Sequence, residues 1–186
     1  VETAQTTDSG VTYSPQDSGG SAFFYSGATP PASQDTAKIR RMATLDPVMR
    51  ELQHSNPLIA SVYFNSWDSY NHIYPWFDTS EQYPHDMVIP EFNFYYLADA
   101  EHNPSRGVVW TDVYLDPAGQ GWMMSAIAPV YRGDFLEGVV GIDVTVDGIL
   151  SEIGRLPVPW DGYAMLVSSD LNIMAMPAPA ERDFGL

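Results

Sequence analysis

A chain of 186 residues that is 45% hydrophobic and 13% aromatic has room for one ordinary domain with a filled core, which excludes global disorder. Its 8 Lys and Arg stand against 24 Asp and Glu, a net charge of −16, and such a surface repels phosphate backbones and anionic lipid, excluding nucleic-acid binding. With no cysteine, disulfides, thiolate zinc sites and a thiol nucleophile are excluded as well.

Residues 1–20 are rich in Ser, Thr, Gly and Asp, lack periodicity and read as a flexible lead-in. Ser21 to Tyr25 reads as a short strand. After Pro30 and Pro31, Ser33 or Asp35 is placed to cap a helix running from Thr36 to Ser55. Ile39, Met42, Leu45, Val48, Met49 and Leu52 give that helix one apolar face. Pro47 is expected to break it, with Asp46 capping a second piece that has Pro47 at its first position.

Leu58 to Ser66 reads as a strand, and Ser69 to Pro75 as its hairpin partner across Trp67-Asp68. An irregular stretch from Phe77 to Glu91, containing Pro84 and Pro90, precedes a short aromatic helix over Phe92 to Glu101. Strands follow at Val108–Thr111, Gly121–Tyr131 and Leu136–Val146. The last two are joined through Arg132-Gly133-Asp134-Phe135 as an antiparallel hairpin. Asp147 is placed to cap a helix to Arg155, and Gly162 to Met176 reads as another hairpin, turning at Ser168-Ser169-Asp170-Leu171-Asn172. Strands cluster instead of alternating with long helices, so the fold class is α+β with an antiparallel sheet flanked by helices. No apolar run approaches the ~20 residues that span a bilayer. With Val1 first and no signal peptide, the chain reads as a soluble piece of something longer.

Little in the chain points to catalysis. His54, His72, His85 and His102 are scattered, and none stands four residues from another, so no helical zinc pair exists and no metal is expected. No stretch has the spacing of a calcium-binding EF-hand loop. Ser66, Ser125 and Ser168 lack a nucleophile elbow, and there is no phosphate-cradling glycine loop. No cofactor is implied. Asp112 and Asp143 form a carboxylate pair without a neighbouring nucleophile, so the chain is read as a non-enzyme.

The segment from Trp110 to Asp143 is the specific one. It reads Trp110-Thr111-Asp112-Val113-Tyr114-Leu115-Asp116, then a strand ending Ala128-Pro129-Val130-Tyr131, then Gly138-Val139-Val140-Gly141-Ile142-Asp143. These three motifs, in this order, closely resemble the membrane-distal module of the double Cache family. Asn56-Pro57 through Tyr63-Phe64-Asn65, and Tyr95-Tyr96-Leu97-Ala98, also look like that family's helix-to-strand passage and aromatic helix. The resemblance covers roughly Leu45 to Met176. It implies a PAS-like sheet displayed outside the membrane, feeding a histidine kinase, a chemotaxis receptor or a cyclic-dinucleotide enzyme. It also implies one membrane-distal module over 21–160, the truncated start of a second over 161–186, membrane anchoring in the full-length protein and a possible homodimer.

In an amino-acid-sensing branch of that family a Tyr and a later Asp hold the ligand's amine. By motif position these are Tyr114 and Asp143. Where the branch carries Arg and Trp for the carboxylate, this chain has Asn93 and Tyr95. An acidic residue remains among Tyr63, Trp67, Tyr70, Tyr95, Trp110, Tyr114 and Trp122. That set suits a small-molecule ligand such as an amine or an amino-acid-like compound, through charge-assisted and cation–π contacts. Arg106 and Arg132 are the remaining candidates for a carboxylate, and both sit in turn-like segments. Asp112 and Asp116 are expected to serve the turn marked by Asp116-Pro117-Ala118-Gly119. The rival reading is a non-catalytic interaction or dimerisation domain in which the aromatic set is solid core. A pocket beside Tyr114 and Asp143 separates the two.

Overall fold

Strand pairing begins earlier than the composition of the N-terminus predicts. Gln5–Thr6 (β1) pairs antiparallel with Thr12–Tyr13 (β2), which pairs in turn with Ala22–Tyr25 (β3). Val11 and Thr12 are buried, and Val11 joins the main core. The expected flexible lead-in is thus corrected: its pairing is carried by Gln5, Thr6, Thr12 and Tyr13, too few apolar positions to leave a periodic signal. The computed structural model describes residues 4–168 and 171–185.

Thr36–Met42 (α1) starts at Asp35, whose carboxylate accepts from the Ala37 and Lys38 amides. A 3-10 turn at Ala43–Leu45 separates it from Asp46–Ser55 (α2). The break falls at the expected place, but the cap is displaced. Leu45 is the N-cap, and the Asp46 carboxylate turns away to His72 Nε2 at 2.8 Å. Ile59–Ser66 (β4) and Tyr70–Tyr74 (β5) form the expected hairpin.

The connecting stretch carries a helical turn at Thr79–Gln82 (α3) and another at Asn93–Tyr96 (α4). The helix expected over Phe92–Glu101 stops early, because Asp99 accepts from the amides of Glu101 and His102 and turns the chain. Then come Val109–Trp110 (β6), Tyr114–Leu115 (β7), Trp122–Arg132 (β8) and Phe135–Thr145 (β9). Gly133, with φ 64°, opens the tight turn between β8 and β9, a backbone position that favours glycine. Val146–Ile153 (α5) is capped by Thr145, whose hydroxyl accepts from the Gly148 amide, and not by Asp147. Leu166–Val167 (β10) and Ile173–Ala175 (β11) pair as a separate two-stranded sheet, and Ala178–Phe184 (α6) follows as an unanticipated helix. Ser169 and Asp170, in the expected turn of that hairpin, lie outside the described residues.

The nine-stranded sheet runs β1-β2-β3-β5-β4-β9-β8-β6, with β7 also on β8, and every pair is antiparallel. This is the expected α+β class. Alternation along each strand divides the side chains between two faces. One face presents Ala22, Phe24, Tyr63, Ile73, Ile127 and Val139 to Met87, Ile89, Phe94 and Ala98 of the connecting stretch. The other presents Phe23, Tyr25 and Tyr70 to Ile39 and Met42 of α1. No described helix is long and apolar enough to cross a membrane.

Candidate functional site

Strand parity and register together gather polar side chains on the face away from α1. Ser61 lies opposite Asp143, Tyr63 opposite Gly141 and Ile73, and Asn65 opposite Asn71. On the far side of β9, Ser125 lies opposite Asp143. Gly141 is required here: a Cβ at that position would fall on the Tyr63 ring, which lies across the strand.

These residues line a cavity between the sheet and the connecting stretch. Tyr63, Asn65, Asn71 and Asp143 form its floor, and Tyr83, Met87, Ile89 and Phe94 cover it. The short strand β7 and the turn after it close the remaining side with Tyr114, Asp116 and Gln120. The cavity measures about 20 Å³, the space of about one water and far below the ~300 Å³ of a typical small-molecule site. Admission of an amino-acid-sized molecule therefore requires the cover over residues 77–92, or the turn after β7, to move outward.

Asp143 is 5% exposed, and hydroxyls compensate its charge. Ser61 Oγ donates to Oδ2 at 2.5 Å, Ser125 Oγ donates to Oδ1 at 2.6 Å, and the Tyr114 hydroxyl, 3.4 Å from Oδ1, is bonded to Ser125 Oγ at 2.7 Å. Burial outweighs these bonds and pushes the Asp143 carboxyl up to about 6. Burial also raises the Asp116 carboxyl, although Asp116 accepts from the Gln120 amide. No Lys, Arg or His is among the lining residues. Two buried polar atoms of the floor lack partners. Asn71 donates to Asn65 Oδ1 at 2.8 Å but leaves its own Oδ1 unpaired, and the Tyr63 hydroxyl stands near Ser125 without reaching hydrogen-bond geometry.

Of the eight residues singled out in the sequence, the structure brings Tyr63, Tyr114 and Asp143 to this cavity. The other five lie elsewhere. Tyr70 is wholly buried against Phe23 and Tyr25, one position out of phase with the inward Asn71. Tyr95 packs in the core beside Phe94 without lining the cavity. Trp110 and Trp122 are 56% and 59% exposed, each one residue out of phase with the inward Ser125 and Met123. Trp67, 51% exposed, meets Phe135 edge-on at the end of the sheet. Arg106 lies over the Tyr131 ring at 4.0 Å and pairs with Asp134, while Arg132 pairs with Glu137 at 2.5 Å; neither reaches the cavity. Asp116 serves its turn, as expected, and lines the cavity as well. Ser61, Asn65, Asn71 and Tyr83 are not marked as site residues by the sequence, and Ser125 only as a serine without a nucleophile elbow. The alternation Ser61, Tyr63, Asn65 along one strand was the signal that could have found Asn65, which lines the cavity, and Ser61, which holds Asp143. Among the described residues no three His, Asp or Glu side chains are grouped to hold a metal ion.

No protein-family profile matches the chain. Among curated proteins it is 25% identical over 130 residues to the methyl-accepting chemotaxis protein McpC of Bacillus subtilis, covering 70% of this chain and 19% of that protein. Solved structures similar in fold include three chemoreceptor ligand-binding domains. The first is the ligand-binding domain of the Pseudomonas aeruginosa amino-acid chemoreceptor PctC in complex with GABA (TM-score 0.55, 23% identity, 78% of this chain and 59% of that one). The second is the ligand-binding domain of PctB from the same organism, bound to L-Arg (TM-score 0.59, 21% identity, 80% and 53%). The third is that of the Pseudomonas fluorescens chemoreceptor CtaA, bound to L-leucine (TM-score 0.58, 21% identity, 75% and 54%). The chain thus has the Cache-type, PAS-like fold of these sensor domains. It spans a little over half of those chains and about a fifth of the curated relative.

Proposed function

We propose that this chain is an extracytoplasmic ligand-sensing domain of a transmembrane signalling receptor, non-catalytic itself, whose small-molecule ligand presents an amine to Asp143. The observation that carries this reading is a buried carboxylate on the floor of a covered cavity, held by Ser61, Ser125 and Tyr114 and without a cation beside it. Burying an unpaired carboxylate costs stability, and an ammonium ligand recovers that cost. The fold likeness to chemoreceptor ligand-binding domains supports the same reading. Residues 21–160 then form the membrane-distal module and 161–186 the start of a second. The output is a chemoreceptor, histidine kinase or cyclic-dinucleotide enzyme. Binding acts by favouring one arrangement of the cover over residues 77–92 against another.

The narrowness of the cavity favours the second reading, an interaction domain with a solid core. Against it stand Asn71 Oδ1 and the Tyr63 hydroxyl, buried in the cavity floor without partners; a solid core buries apolar atoms there. A thermal-shift screen with amines, amino acids, organic acids and nucleobases separates the two. A ligand at 100 times its Kd adds about 2.7 kcal/mol, or roughly 5–10 °C for a domain of this size. A shift with amines that disappears in Asp143→Asn is the expected result. Shifts indifferent to Asp143, or no shift with any compound, would leave the interaction-domain reading.

A further inference from the structure

The cavity's charge does not match a zwitterionic ligand. Two carboxylates line it, the buried Asp143 and the partly exposed Asp116, and no cation does. They are close enough for Asp116 to raise the energy of a charged Asp143, and the Tyr83 and Tyr114 phenols feel both. The arginines that could answer a ligand carboxylate are committed at the β8–β9 turn: Arg106 to Asp134 and Arg132 to Glu137. Asn93 does not line the cavity. A carboxylate brought here would be desolvated between two like charges with no cation to meet it.

The cavity also has apolar walls, formed by Ile73, Met87, Ile89 and Phe94. An independent sign of a polar occupant is the Asn71 carbonyl oxygen, on a residue 4% exposed, which faces the cavity as an acceptor without a partner. We infer that the cavity takes a short α,ω-diamine, with one ammonium on Asp143, the methylene chain along the apolar walls and the second ammonium on Asp116. The inference rests on the reading of this cavity as the ligand site. It makes Asp116 the residue that selects a dication over an amino acid.

Three probes of matched length test it by isothermal titration calorimetry: putrescine, n-butylamine and γ-aminobutyrate, which end in an ammonium, a methyl and a carboxylate. The native protein should bind putrescine about tenfold or more tighter than the other two, the scale of one charge-assisted contact. Asp116→Asn keeps an oxygen for the Gln120 amide. It should bring putrescine down to the level of n-butylamine while leaving n-butylamine within about twofold. Asp143→Asn should weaken both amines. If γ-aminobutyrate matches or exceeds putrescine, or if Asp116→Asn changes nothing, the diamine inference is overturned; the sensor reading survives as long as Asp143→Asn still weakens binding. No heat with any probe on the native protein overturns both. Should Asp116→Asn fail to fold by circular dichroism, the comparison on the native protein decides alone.

Discussion

On the proposed reading, Asp143 trades stability for ligand binding. Its folded-state carboxyl titrates at about 6 because it is buried, above the ~3.9 of an unfolded Asp. The folded state therefore holds the proton more tightly than the unfolded state. The stability conferred by that proton is full below about pH 4 and is lost as pH rises through about 6. At neutral pH the ionised Asp143 destabilises the ligand-free domain by up to about 3 kcal/mol. Asp143→Asn is thus expected to raise the melting temperature near pH 8 and to flatten the pH dependence between about pH 4 and pH 7, while weakening amine binding. A variant that melts lower near pH 8 would contradict this. Gly141 is the second test at this scale. Gly141→Ala drives a methyl into the Tyr63 ring, with an expected cost of about 1–3 kcal/mol in urea melts and weaker ligand binding, since Tyr63 is displaced into the cavity. Motif position alone brought Tyr114 and Asp143 to the site. The tryptophans could not be placed that way, because a strand residue's face depends on register, and β6 and β7 are only two residues each.

The strands β4 and β5 serve both sides of the sheet. Tyr63, Asn65 and Asn71 face the cavity, while Phe64 and His72 face the helices. Both helices are tied to that sheet by charged contacts. Lys38 of α1 reaches Asp68 at 2.5 Å, with Ser66 and the Tyr25 hydroxyl also bonded to it, and Asp46 of α2 meets the wholly buried His72. A shift at the cavity floor has a short path to α1 and α2 through these pairs. Lys38→Met is expected to cost about 3 kcal/mol by chemical denaturation, because it leaves Asp68 half-buried without its cation. Burial works to raise the Asp68 carboxyl, but the bonds from Lys38, Ser66 and Tyr25 hold it below the usual range. Its stabilising effect is therefore present above the unfolded pKa and fades as pH falls through the folded one. In Lys38→Met that acid-side loss should shrink. Helix breaks were legible because Pro47 and Asp35 act locally; the true N-caps Leu45 and Thr145 were not. Asp46 is recruited by His72 from a distant strand, and Thr145 caps by one hydroxyl next to the more conspicuous Asp147.

At the scale of the whole molecule, the antiparallel α+β class followed from clustered strand signals and one strong hairpin. The two N-terminal strands stayed hidden because each is two residues long, too short for an alternation to show, with β1 pairing on β2 and β2 on β3. The sheet of β10 and β11 is separate from the main one. In hydrogen exchange its amides are expected to open well before those of β4, β8 and β9, as a unit of lower local stability. Equal protection would mean that residues 162–185 belong to the same cooperative unit. The central claim concerns where a ligand sits, and the most direct test is a backbone amide NMR titration of the native domain with an amine that binds. The account predicts shifts concentrated at Tyr63, Tyr114, Ser125, Gly141 and Asp143. Shifts confined to Trp67, Asp68 and Arg132 at the far end of the sheet would contradict it.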